Sequence, residues 1–167
     1  MKATHNGNCQ VCGRLQATTC YRGIAKHGYT VQEWGYNGVC RGSDHAPVQT
    51  STALLDETVQ ALGLEANRLR SLTADTLPGV MMSRRDPKGS VWNKLPPLKT
   101  FVRNEAEFEA WKAEVGPSVC GWRWETTRDS ELRRLSHVGE SMLQHVLFLT
   151  TLRKQCHGQP LPPRTQQ

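Results

Sequence analysis

Six side chains of metal-binding type, Cys9, Cys12, Cys20, His27, Cys40 and His45, fall between residues 8 and 45, leaving two cysteines and four histidines for the rest of the chain. Zinc takes four nitrogen or sulfur donors in a tetrahedron, and a Cys-x-x-Cys turn presents two thiolates in one direction. Cys9-Gln10-Val11-Cys12 is such a turn, and Gly13 after it suits the φ > 0 conformation that lets a backbone N–H face a sulfur. The second half-site must come from further along. His27-Gly28 and Cys40-Arg41-Gly42 are the best placed, so the expected site is one structural zinc on Cys9, Cys12, His27 and Cys40. His5, Cys20 and His45 are spare donors, any of which could replace one of the four. The competing readings of the same residues are buried small hydrophobes, a redox pair, or a ββα-metal nuclease built on Asp44 and His45.

Those donors need short local elements to hold them. RLQATTC, a turn at Tyr21-Arg22-Gly23 and the returning IAKH form a hairpin-like path that brings His27 beside the Cys9 knuckle. Residues 1–47 are expected to be this zinc-finger module. Beyond it, residues 51–74 read as a helix, with Leu55, Val59, Leu62, Ala66 and Leu69 at helical spacing and Ser51 as N-cap. A second helix is expected over 129–156, opened by Asp129 and closed by Gly158, with a seam of Leu135, Val138, Met142, His145, Leu149, Leu152 and Cys156. Two such faces should pack on each other, as an intramolecular antiparallel pair or across a homodimer.

Between the helices, GVMMSRRDPKGSVWNKL has the pattern of a β-hairpin turning at Asp86-Pro87-Lys88-Gly89, and KTFVR can add a strand. NEAEFEAWKAEV is a short helix with Asn104 as N-cap and Glu107 three residues on, burying Phe108, Trp111 and Val115. SVCGWRWET alternates well enough for a further strand. The expected fold is therefore α+β: a small zinc finger over 1–47, then a helical pair over 48–158 with an α+β insertion at 79–126. Residues 159–167 are expected to be a disordered tail. Cys120 and Cys156 are read as buried thiols, and His145 as a satisfied core or interface histidine.

With 37% hydrophobic and 22% charged residues, the composition is that of a globular protein, and no apolar run approaches the ~20 residues of a bilayer span. The start, MKATHNGN, lacks the apolar core of a secretory signal. The expected location is the cytoplasm, where thiols stay reduced and a Cys-x-x-Cys pair is better read as a metal or redox element than as a disulfide framework. The net charge is +6, and its largest share, +5, sits in residues 80–103. Arg84, Arg85, Lys88 and Lys94 in that segment are the candidate partner-binding residues.

The run THNGNCQVCGRLQ, then AKHGYT, the NGVCRGSDHAP corner and the STALLDE helix resemble a family of small zinc-finger proteins of phages and prophages, whose members also tend to end in HGQPL-like residues, here His157 to Leu161. The resemblance covers residues 4–56, is loose at the C-terminus and is absent in the middle. It implies zinc and a phage origin, in a host-cell cytoplasm, and carries no activity of its own. A closed Cys₃His site has no open position for water, and the sequence holds no Gly-rich phosphate loop, no His-x-Glu deaminase signature and no nucleophile elbow. The expected function is accordingly non-enzymatic: a protein-binding inhibitor of a host machine such as a bacterial immune complex, of the anti-CRISPR type. The alternative is a nucleic-acid-binding protein that uses the basic hairpin of residues 80–103, with Trp92 or Tyr36 available to stack on bases.

Overall fold

The computed structural model of the protein describes residues 5–19, 23–30, 36–84 and 98–164. The fold is α+β. Its elements run β1 (Asn6–Asn8), β2 (Leu15–Ala17), β3 (Gly28–Thr30), β4 (Tyr36–Val39), α1 (Ala53–Arg70), β5 (Val80–Arg84), β6 (Leu98–Val102), α2 (Glu105–Val115) and α3 (Trp124–Cys156), with a 3₁₀ turn at Pro117–Val119. The strands pair antiparallel as β1 with β2, β3 with β4 and β5 with β6. The chain divides into two compact units, Met1–Asn67 with Gly139–Gln167, and Arg68–Val138. No helix among the described residues is long and apolar enough to cross a membrane.

In the first unit the early strands are only three or four residues long, too short to bury a core by themselves. Their apolar support is a small cluster of Cys9, Val11, Ile24 and Cys40, with Cys12 and Leu54 packed against it. A second cluster joins Val48 and Leu55 to Leu149 and Leu152, flanked by Val59 and Cys156. Only one end of the expected helix–helix seam is in this cluster, Leu55 and Val59 of α1 with Leu149, Leu152 and Cys156 of α3, and Arg153 pairs with Asp56 beside it (2.8 Å); Leu62, Val138 and Met142 are not part of it. Leu149 is fully buried. Leu135, also expected in the seam, belongs to the part of α3 that lies in the other unit.

Buried amides join the knuckle to the segment that leads into α1. The Gln10 side chain donates to the Ala46 carbonyl (2.7 Å) and accepts from the Leu55 N–H (2.9 Å), satisfying a first-turn donor that α1 cannot pair internally. Asn8 and Gln49 exchange two hydrogen bonds, at 3.0 and 2.7 Å. Ser51, the expected N-cap, accepts from Ala53 N–H at 3.4 Å.

The expected tail at 159–167 is described as far as Arg164, and it is engaged with the start of the chain. Asn6 N–H donates to the Pro162 carbonyl (2.9 Å), and His5 forms a bridge with Pro163. The free edge of β1 supplies a donor, and the extended, proline-rich segment supplies an acceptor.

In the second unit β5 pairs with β6 from Val80↔Val102 to Arg84↔Leu98, so KTFVR, expected as an added strand, is itself a partner of VMMSR, while the return strand expected at SVWNKL lies outside the described residues. The proposed turn at Asp86 to Gly89 lies outside the described residues, as do Arg85, Lys88 and Lys94. The core holds Val80, Met82, Val102, Phe108, Trp111 and Val119. Asn104 caps α2 by accepting from Glu107 N–H (3.0 Å), while the Glu107 carboxylate turns back to Arg103 N–H (2.9 Å).

The strand expected at 118–126 is absent. Pro117–Val119 is a 3₁₀ turn and α3 begins at Trp124, five residues before the expected start at Asp129. The alternation in Cys-Gly-Trp-Arg-Trp has another cause: Trp122 packs on Trp111 (6.0 Å between ring centres) and Trp124 on Phe108 (5.8 Å), one from a turn and the other from the helix start. Cys120, expected to be buried, is exposed in that turn, and Cys156 is half-buried.

Candidate metal centre

Two hairpins meet at the cluster, one by its tip and the other by its open end. β1 and β2 run from Asn6↔Ala17 to Asn8↔Leu15, and the loop between them carries Cys9 and Cys12. Cys9 N–H donates to the Arg14 carbonyl and Gly13 N–H to the Cys9 carbonyl, both at 2.9 Å, which closes a tight knuckle. Gly13 has φ 71°, as the Cys-x-x-Cys-Gly spacing requires. Val11 N–H points at the Cys9 sulfur (3.4 Å). His27 directly precedes β3 and Cys40 directly follows β4, where Gly28 pairs with Val39. Cys40 N–H donates to the His27 carbonyl (2.8 Å), so the sheet ladder itself holds the second pair of donors together.

The donor atoms of Cys9, Cys12, His27 and Cys40 all lie within 4.8 Å of one another, and the group could hold a metal ion. Cys9 Sγ and Cys40 Sγ are 3.8 Å apart, and Cys12 Sγ is 3.3 Å from His27 Nε2. Metal–ligand bonds of zinc length set at tetrahedral angles give edges of about 3.8 Å between two sulfurs and about 3.5 Å between sulfur and nitrogen. The sulfur separation is far beyond the ~2 Å of a disulfide.

Imidazole orientation is fixed from behind. His27 Nδ1 lies 2.9 Å from the Ala25 carbonyl, which selects the tautomer with Nδ1–H donating and leaves the Nε2 lone pair for the cluster. Ser43 Oγ accepts from His27 N–H (3.2 Å) and sits 3.3 Å from Nδ1. On the far side of the knuckle, the Val11 carbonyl is 2.9 Å from Nε2 of His145, which stacks on Phe148. His145 is the satisfied histidine that its position on an apolar seam implied.

The thiols of the metal-free cluster do not behave alike. A hydrogen bond with Cys12, and burial after it, push the Cys9 thiol from the ordinary 9.0 up to about 12, and the same bond lowers Cys12. Cys9 therefore holds its proton more firmly than Cys12, and a bound cation would displace it.

Of the spare donors, His5 is engaged through its backbone with Thr18 and Pro163, and His45 is exposed, with its carbonyl accepting from Ile24 N–H. Neither belongs to the group of four. Cys20 lies outside the described residues. Asp44, the other half of the nuclease reading, is exposed at φ 65°. Ser43 and Ala25 were not marked by the sequence as part of the site, and Gly42 was read only as the turn that flags Cys40. A side chain at Gly42 would collide with the Cys9 sulfur, and only its smallness in the Cys40-Arg41-Gly42 turn hinted at the role.

The chain matches no family model, no curated protein and no solved structure.

Proposed function

We propose that the cluster binds one zinc ion in a structural role, and that the protein is a non-enzymatic, protein-binding factor of phage type that inhibits a host machine such as a bacterial immune complex in the host cytoplasm. The observation that carries the metal assignment is the donor set. Three thiols and an imidazole whose donor atoms all lie within 4.8 Å of one another favour zinc over the hard, oxygen-seeking cations, and four protein donors would leave no position for substrate water. The metal then does for the short hairpins what their small apolar cluster does only in part.

The resemblance of residues 4–56 supports the phage origin, and the exposed apolar side chains of the second unit support a protein partner: Met81 is 54% exposed and Trp122 47%. Elemental analysis of the purified protein should give one zinc per chain, and a zinc-free, fully folded protein would overturn the assignment. Capture of a host protein complex that survives nuclease treatment supports the partner class. A complex that disappears with nuclease overturns it.

A second reading, nucleic-acid binding, is favoured by one observation. A hollow of about 610 Å³ beside His27 is lined by Arg14, Gln16, Lys26, Gly28, Gly38 and Val39, with two cations and no carboxylate among the described lining residues. Salt-steep, nanomolar binding of bare DNA or RNA would establish it.

A further inference from the structure

The second unit holds a cleft of about 790 Å³ whose lining combines four consecutive strand residues, Val80 to Ser83, with residues of α3 and the turn before it. Consecutive residues of a strand point to opposite faces, so a cleft that lies on a face meets every second one. A cleft that meets all four lies along the edge. The burial agrees: Val80 and Met82 put their side chains into the core, at 5% and 4% exposure, while Met81 between them is exposed. β5 pairs with β6 on one side, and among the described residues no backbone hydrogen bond joins its other side to anything. An edge of this kind presents unpaired N–H and C=O groups in a row.

From this edge we infer that the cleft takes an extended segment of a partner protein, which adds to β5 as a third strand and lies against α3. The inference rests on the protein-binding reading above and gives it a surface. The opposite wall offers Thr126, Thr127 and Ser130, with Trp122 exposed at the rim. Arg134 is engaged by Glu131 in two 2.7 Å hydrogen bonds, whereas the exposed Arg123 has no carboxylate partner among the described residues. The segment that fits therefore alternates apolar residues, one of them over Trp122 and Met81, with acidic or hydroxyl residues, one of them reaching Arg123. The edge of four residues is roughly 13 Å long, which sets the paired part of that segment at four to five residues.

The test uses the full, zinc-loaded chain and a pool of capped nine-residue peptides with Val, Ile or Phe at odd positions and Asp, Glu or Thr at even positions. Amide exchange and chemical shifts of residues 80–83 are read by NMR. The free chain should exchange these outward amides quickly, and peptide binding should slow them at least tenfold. Peptides N-methylated at alternate residues, which keep their side chains and lose their strand donors, should not bind. Arg123→Glu should weaken the acidic peptides about tenfold, as loss of a charge-assisted bond does.

Protection of all these amides in the free chain, no binding from the pool at millimolar concentration, or equal binding of the N-methylated peptides would overturn the inference. So would a single-stranded oligothymidylate that shifts the same amides when peptides do not. Failure here leaves the host-protein reading standing if capture from lysate persists in the Trp122→Ala, Arg123→Glu variant. Loss of all capture by the unaltered chain removes that reading while the peptide result stands on its own.

Discussion

Gly42 shows how much of a metal centre is decided by residues that donate nothing. It packs where any Cβ would enter the Cys9 sulfur, so Gly42→Ala must move a ligand or the turn that holds Cys40. Zinc affinity should fall by about ten- to a hundredfold, the range seen when the support of a ligand is lost, and competition with a colorimetric chelator measures it. Cys9→Ala with Cys40→Ala should abolish zinc retention, whereas Cys20→Ser should keep one zinc per chain by elemental analysis. The raised Cys9 thiol sets a pH dependence for the metal-free chain. Folding raises the Cys9 thiol, so its contribution is complete below the ordinary 9.0 and is lost as pH rises through about 12. Zinc loading runs the other way, because it expels protons, and the affinity measured by titration should climb with pH. The four donors were legible in the sequence because a local turn and two glycine-flanked positions mark them. Ser43 was not, since its partner His27 is sixteen residues away and nothing in its own surroundings signals it.

Among the elements, the long helices were readable from periodicity, and their ends less so. Trp124 opens α3 because it packs on Phe108, a contact that no local pattern announces, and the tryptophan spacing instead mimicked a strand. The seam can be tested where it is deepest. Leu149 is completely buried with Leu55, Val48 and Leu152, so Leu149→Ala should cost about 2 to 5 kcal/mol, read from chemical denaturation at two protein concentrations. Concentration dependence of that loss would place part of the seam between two chains. Capping offers a finer probe. Gln10→Leu removes the acceptor of the Leu55 N–H and leaves a buried donor unpaired, at a cost of about 1 to 3 kcal/mol by the same measurement.

At the scale of the whole chain, the first unit takes in residues that are far apart in sequence. Its metal cluster, the start of α1, the end of α3 and the segment at Pro162 belong together, through bonds such as Val11 to His145 and Asn6 to Pro162. Chelation should therefore raise hydrogen exchange in residues 139–156 as well as in the hairpins, while residues 98–119 of the other unit keep their protection. Exchange measured by mass spectrometry distinguishes this from a loss confined to residues 1–47. Sequence patterns could propose each of these elements, but they carry no record of which distant segments share a core.

Gln10 sits between Cys9 and Cys12, and its carboxamide is committed at both ends, to Ala46 and to the first turn of α1. Opening the knuckle far enough to free a cation would drag that side chain from its place and uncap a helix 45 residues away. Escape of the ion is then slowed by the barrier to a cooperative opening and not merely by the strength of four bonds. A chelator would strip the protein at a rate that becomes independent of chelator concentration, set by how often the start of α1 unravels.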